Sequence, residues 1–595
     1  MGRAAARIRA EIGTQARATD PALVRAATTS ARQLGQGLPD KRRLAFARSM
    51  VAAAVAECWR VTVGSRRRHR PVGCDIDALD DRHADVSRAL GAAAASLPVE
   101  HAAYVLGSTY AGMLPESIRS SQGVFYTPPD IAGRLLDQVT SAGINWRSGT
   151  VLDPACGGGA FLSPVVSRIV EANRRAGRSP EQIVEHVGTH VRGFEIDPFA
   201  AWMSQVFVDL TLFTALGGEG YARTAVVETC DSMTRAAMAQ RFDVIIGNPP
   251  YGRVRLTADQ RTTFARSLFG HANLYTVFLD LAARWIEPSR GVIGYVTPAS
   301  FLSGEYFKKL RSTLARDAAP VSIGFVEKRH GIFDDVLQET VLVVCSPRAK
   351  ERTEVSFIST TSSGLTATSA GSYPLPDDRS APWVLPRRPH LADTARQLEK
   401  APARLRDWGY AVSTGPLVWN RHKPQMRQTK VAGSVPLIWA ESVSPDGRFE
   451  FRAARRNHAP YFVPEKGDEW LLVRRACVLL QRTTATEQPR RLIAAELPSA
   501  FIEAHEGAVT VENHLNMLVP LTKSPAVAPA TLAAFLNSTA ADNAFRCING
   551  SVAVSAFELE AMPLPGLERM RAVSDALARD AAAGELEALC QKLYT

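Results

Sequence analysis

Seven short apolar runs, separated mostly by segments of helix length, constrain this chain more than any other feature. They are TVLD at 150, VRGFEI at 191, TAVVET at 224, FDVIIG at 242, GVIGYV at 291, VSIGFV at 321 and ETVLVV at 339. Alternation of strand-like and helix-like segments specifies the α/β class: a mostly parallel sheet with helices on both faces. A sheet of this kind offers its ligand site beyond the carboxyl ends of its strands. The residues that close each run are therefore the first place to look for chemistry. The last two runs are joined by a short turn region and predict a hairpin.

At 595 residues the chain exceeds one ordinary domain, so two or three are expected. Residues 1–110 are rich in Ala and Arg and read as a helical N-terminal region, with an apolar stripe at helical spacing in DKRRLAFARSMVAAAVAECW. The run SRRRHR, Ser65 to Arg70, reads as a solvated loop. The sheet-bearing domain spans 111–350. A small-residue linker follows over 351–385, centred on TTSSGLTATSAGSYPLP, and a second, mixed α+β domain occupies 386–595. The net charge of +11 and the pI near 9.4 favour a polyanionic partner. Between Asn420 and Leu497 there are 14 Lys or Arg against 8 Asp or Glu, an excess of 6 positive charges in 78 residues. The eight cysteines are scattered without a CxxC pair, so neither a metal site nor a disulfide framework is expected, and a reducing cytoplasm fits. No apolar run is expected to reach the roughly 18 residues that span a bilayer. The start, MGRAAARIRAEIG, has charges where a signal peptide needs its apolar core.

VLDPACGGGAFL, Val151 to Leu162, reads as strand, tight glycine turn and helix start. Glycines let a backbone approach a ligand closely, as in dinucleotide sites. Here the strand closes on an acid, Asp153, which would repel a pyrophosphate but suits a cation. S-adenosylmethionine carries an ammonium and a sulfonium and no phosphate. The next run closes on GFEIDP, where Glu195 is placed to accept from two ribose hydroxyls. The third closes on VVETCDSM, where Asp231 is placed to accept from an adenine amino group. Each acid alone reads as a helix cap or surface charge. Three at successive strand ends point to a nucleoside ligand. Cys156, inside the glycine turn, reads as a small packing residue.

The fourth run ends in a rigid corner, FDVIIGNPPYG. The amino group of a nucleobase is a poor nucleophile because its lone pair is delocalised into the ring. Two acceptors on its N–H bonds would localise that pair toward a methyl donor. The Asn248 side-chain carbonyl and the Pro249 backbone carbonyl supply them, and the prolines hold both in place. Tyr251 supplies a face for a base flipped out of a duplex.

An ordered set of stretches, GVFYTPP, VLDPACGGGAFL, GFEIDP, CDSM, GNPPYG, HANLYTVFLDLA, YVTPASFL and GIFDDVLQETVLVV, resembles the amino-methyltransferases of DNA. The likeness is to adenine N6 modification methylases similar to TaqI methylase, in the gamma order of motifs, over roughly residues 110–565. It implies a Rossmann-like methyltransferase sheet and S-adenosylmethionine as cofactor. It also implies a cofactor site lined by Thr127, Asp153, Ala155, Glu195, Ile196, Asp231, Pro250 and Phe278. Asn248, Pro249 and Tyr251 would hold the target adenine, with Phe333 as a second aromatic against it. Asp153 departs from the longer glutamate of that family member.

The C-terminal half resembles the modification methylases similar to BsuBI and PstI, through VWNRHKPQM, PLIWAESV, VLLQRTTATEQPRRLIAAEL and VENHLNMLVP. This makes 386–595 a target-recognition domain for double-stranded DNA. Arg482, Thr483, Arg490 and Arg491 become candidate contacts, mostly to phosphates. It suggests CTGCAG as the site and a type II restriction–modification setting in a bacterial cytoplasm, with a separate restriction endonuclease as possible partner. Two alternatives stay open: a catalytically inactive DNA-binding protein on the same fold, and a methylase of RNA or protein glutamine amines.

Overall fold

The computed structural model describes residues 33–34, 37–64, 70–122, 126–219, 222–327, 339–349, 351–361, 364–484 and 488–594. Residues 65–69 of the basic run and Phe333 lie outside them. The chain divides into two compact units: residues 1–299 with 309–369, and residues 300–308 with 370–595.

The first unit is built on the expected sheet. Its strands are β1 (Val151–Asp153), β2 (Val191–Glu195), β3 (Val227–Thr229), β4 (Val244–Gly247), β5 (Val292–Pro298), β6 (Ala319–Val326), β7 (Thr340–Ser346), β8 (Arg352–Thr361) and β9 (Gly364–Pro374). They lie in the order β9-β8-β6-β7-β5-β4-β1-β2-β3. All seven apolar runs of the sequence are strands here. β1 pairs in parallel with both β2 and β4, and β4 pairs in parallel with β5. The expected antiparallel pairing of the last two runs is present between β6 and β7, and β7 also pairs antiparallel with β5. Every residue of β1, β4, β5 and β7 is buried, which is why these strands read as unbroken apolar runs.

Helices cover both faces. One core holds α4 (Pro129–Ser141) and α5 (Leu162–Arg175) against the sheet, through Leu135, Val139, Val165 and Ile169. A second joins α6 (Pro198–Leu216) to the N-terminal helices α1 (Asp40–Val63), α2 (Asp81–Ala95) and α3 (Val99–Met113), through Trp59, Tyr110, Phe199, Trp202 and Phe207. The helical region expected over 1–110 thus shares a core with the sheet unit over its described residues. Its alanines read as helix formers; their spacing did not reveal what they pack on.

Two expectations are corrected. The stretch 351–385, read as a linker, contains the paired strands β8 and β9. β8 buries Thr353, Val355, Phe357 and Ile358 against β6, whereas β9 buries little, so its Ser, Thr and Gly content resembled a linker. The apolar run thought absent exists: α6 has 19 residues and is long and apolar enough by composition to cross a membrane. In the structure 72% of that segment is buried inside the protein, as a core helix hydrophobic on all sides.

The second unit is mixed α+β. One sheet orders Tyr410–Thr414, Leu515–Pro520, Cys477–Gln481 and Ala494–Leu497, all antiparallel neighbours. Another orders Met426–Arg427, Tyr461–Phe462, Val435–Ile438, Val509–Val511 and Leu472–Val473. Helices such as Pro529–Leu536 and Leu567–Ala578 complete the unit.

Candidate active site

The chain turns from β1 to β2 and β3 on one side, then to β4 and β5 on the other. The carboxyl ends of β1 and β4 therefore flank a topological switch point, the usual ligand crevice of such sheets. Asp153 ends β1 and the corner Asn248–Tyr251 follows β4.

The glycine turn after β1 bends sharply, with φ of +51° at Gly157 and +90° at Gly159, values that side chains other than glycine's rarely adopt. A Cβ on Gly158 would lie 2.6 Å from the Tyr126 ring. The turn is fastened by carboxylates. Asp153 Oδ1 accepts from Ala155 N at 3.1 Å, and Glu195 Oε2 accepts from Gly157 N at 2.8 Å. The other Glu195 oxygen accepts from Asp197 N at 2.9 Å. Cys156 is buried, with Gly193 pressed against it, and burial pushes its thiol well above the ordinary range; it packs, as expected.

Both acids titrate high. Burial pushes the Asp153 carboxyl up to about 8, against its hydrogen bond from Ala155 N, with the nearby Glu195 charge adding to the rise. Burial also raises Glu195, although backbone N–H groups of Asp197 and Gly157 oppose it. A buried carboxyl and a half-buried one at adjacent strand ends make a pocket that gains from a cationic or hydroxyl-bearing ligand.

Asp231 caps the short 3-10 turn Ser232–Arg235, its side chain accepting from Met233 N at 2.9 Å. That turn is tied to the glycine turn by Ser232 Oγ, which donates to Pro154 O at 2.6 Å. Cys230 N donates to Glu195 O at 2.9 Å, so the β2 and β3 ends are joined. Ile196 is 59% exposed beside Glu195. Phe278 is buried on the helix α7 (Leu274–Trp285), which packs beside the 3-10 turn.

The corner is a hydrogen-bonded assembly. Asn248 Nδ2 donates to Thr127 Oγ1 at 3.1 Å, and the Tyr251 hydroxyl approaches Asn248 Oδ1 at 2.7 Å and Val296 O at 3.1 Å. Thr127 is buried and lies just before α4. Burial raises the Tyr251 phenol, so it stays a donor at neutral pH. Its ring meets Tyr275 edge-on at 6.2 Å. Pro249 is buried, and Pro250 is half-buried beside it.

Sequence reasoning missed Tyr126 and Asp197. Asp197 caps α6, accepting from Phe199 N at 3.1 Å, and an Asp before Pro198 was a legible helix start. Tyr126 had no signal beyond its place beside Thr127.

In the second unit, one candidate is corrected. Arg491 is fully buried, donating to Thr484 O at 2.6 Å and Asn549 Oδ1 at 2.9 Å, so it braces the fold and does not reach a ligand. Of the two adjacent arginines, Arg490 is the exposed one. Thr483 is exposed and bridges to Ala553, while half-buried Arg482 donates to Asn513 O at 3.1 Å.

Comparison with known proteins gives the class first. Residues 200–333 match the family Eco57I restriction-modification methylase, and the corner lies within the matched stretch. Methylases of this family use S-adenosyl-L-methionine. The chain is also similar to the Type II methyltransferase M.BsuBI of Bacillus subtilis, 25% identical over 75% of this chain and 88% of that protein. It is similar to M.PstI of Providencia stuartii, 27% identical over 56% of this chain and 67% of that one. In fold it resembles the Type IIL restriction-modification enzyme MmeI, solved in complex with DNA, with a TM-score of 0.53 and 13% identity over 97% of this chain and 96% of that one.

Proposed function

We propose that the protein methylates the exocyclic amino group of adenine in a specific double-stranded DNA sequence, as the modification enzyme of a type II restriction–modification system. The observation that carries this reading is the corner: Asn248 held by Thr127 and Tyr251, one strand from the Asp153 carboxyl.

The pocket fits the methyl donor by the chemistry of its groups. Asp153 faces a cost of burial that an ammonium relieves. Glu195 is half-exposed and suits ribose hydroxyls, Asp231 suits the adenine amine, and Ile196 and Phe278 offer apolar faces to a base. Thr127, Ala155 and Pro250 line the remaining edge in this reading. When bound, the donor would supply an electrophilic methyl on sulfur: the N–C bond would form as the S–C bond breaks, with that electron pair staying on sulfur and one amino proton passing to solvent.

The chain's own part is to aim the amine. Asn248 Oδ1 and the Pro249 carbonyl accept from its two N–H bonds and favour the pyramidal nitrogen of the transition state. Oδ1 has two lone pairs, so it can accept from the amine while the Tyr251 hydroxyl stays on it, and the Tyr251 ring offers its face to the flipped base. Thr127 Oγ1 accepts from Nδ2 and the Tyr251 hydroxyl bonds Oδ1, so the amide is held from both sides.

DNA as substrate is supported by the basic stretch 420–497 of the second unit and by the names of the relatives. Arg421, Lys423, Arg427, Lys430 and Arg490 are exposed there and suit phosphates. The resemblance to the BsuBI and PstI group suggests CTGCAG as the site. The test is to incubate the protein with the methyl donor and mixed-sequence duplexes, digest, and identify the modified nucleoside by mass spectrometry. N6-methyladenine is the expected product; N4-methylcytosine, or no transfer to DNA, would overturn the reading.

A further inference from the structure

Asp197 lies two residues past Glu195, and its carboxylate is held from the N-terminal helices. Arg48 of α1 pairs with Oδ1 at 3.1 Å, and the Tyr110 hydroxyl of α3 donates to Oδ2 at 2.7 Å. The side chains of Arg48 and Asp197 are only 16% and 13% exposed, so the pair is shielded and its geometry is held more firmly than that of a surface pair. The backbone N–H of Asp197 in turn donates to Glu195 Oε1. An unbroken series of contacts therefore runs from the N-terminal helices through Asp197 to the acid at the end of β2.

A second contact runs the same way. The Tyr126 ring is pressed between α3 and the glycine turn. A Cβ on Gly107 of α3 would lie 2.2 Å from the ring, and one on Gly158 would lie 2.6 Å from it. The Tyr126 hydroxyl is buried without a hydrogen-bonding partner among the described residues. The same three helices bury Trp59 and Tyr110 against α6, whose first turn Asp197 caps.

We infer that the N-terminal helices are a positioning element of the cofactor pocket, with Arg48 and Tyr110 fixing Asp197 so that Glu195 is aimed at the ribose. This rests on the cofactor reading above. Arg48 and Tyr110 are positioning residues, because they act through Asp197 and do not touch the ligand. A helical cap that only filled space would need apolar contacts alone. Two polar side chains from two helices, converging on the carboxylate next to the ribose acid, are a more specific device.

The test uses the full-length protein and S-adenosylhomocysteine, the stable product, in titration calorimetry. Tyr110→Phe and Arg48→Gln are expected to raise Kd about three- to tenfold, since each removes one bond to a charged group acting at one remove. Affinity for duplex DNA should not change, and Arg48→Lys should recover part of the loss. The deciding measurement is the pair Tyr110→Phe with Glu195→Gln. If Tyr110 acts through Glu195, the double variant binds no worse than Glu195→Gln alone. A lower melting temperature with unchanged Kd, or losses that simply multiply in the double variant, overturns the inference and leaves the cofactor reading standing. An unchanged Kd in Glu195→Gln itself overturns that reading instead.

Discussion

Asp153 gives the pocket a pH signature. Its carboxyl is raised to about 8 by burial, far above the usual range near 4. The folded protein therefore holds this proton more tightly than the unfolded chain. The stability it contributes is complete below the ordinary carboxyl range and is lost as pH rises through about 8. A cationic ligand favours the carboxylate, so cofactor binding at pH 7 should release a proton. Calorimetry in buffers of different ionisation enthalpy checks this; Asp153→Asn should bind without that release. Tyr251 makes a second residue-scale prediction. Tyr251→Ala removes a stacking face worth about 1–3 kcal/mol per base, so 2-aminopurine at the target position should report poorer capture. Tyr251→Phe keeps the face and removes the hydroxyl that occupies Asn248 Oδ1, so base capture should stay near the parental level. At this scale the sequence showed which groups end the strands. It did not show that Tyr251 and Asn248 bind each other, because that contact closes only when the β4 corner folds beside Val296.

Elements explain why some parts were legible and others not. β1, β4, β5 and β7 are buried on both faces, so apolar run and strand coincide. β9 sits at the edge of the sheet with most of its first half exposed, and exposed strands made of Ser, Thr and Gly look like linkers. The glycine turn was legible because its constraint is steric. Gly158→Ala places a methyl 2.6 Å from the Tyr126 ring and 3.0 Å from Met203 Cε, in a spot already closed by packing. We expect a loss of about 1–3 kcal/mol in stability, the usual cost of overpacking, seen as a lower denaturation midpoint, together with weaker cofactor binding.

Over the whole molecule, the presence of a sheet unit and a second, mixed unit was visible in the strand pattern and composition. The N-terminal helices were not placed by any of it, because helix propensity says nothing about which surface a helix covers. Arg491 failed as a DNA contact for a related reason: a doublet of arginines does not reveal which one is turned inward. The exposed set Arg421, Lys423, Arg427 and Lys430 gives the molecular-scale prediction. If these charges meet phosphates, replacing them by Ala should weaken binding to all duplexes alike. The slope of log K against log salt concentration should flatten by about 0.9 for each phosphate that is no longer neutralised. Binding isotherms at several salt concentrations read this directly.

The central claim is that the corner after β4 activates an adenine amine, and single-turnover methyl transfer by Asn248→Ala tests it most directly. The acceptor that Asn248 supplies strengthens only as the nitrogen rehybridises, so ground-state binding should barely change when it is removed. The account predicts a rate lower by about 10²–10³-fold, with Kd for the cofactor and for DNA close to the parental values. Transfer at the parental rate would contradict it.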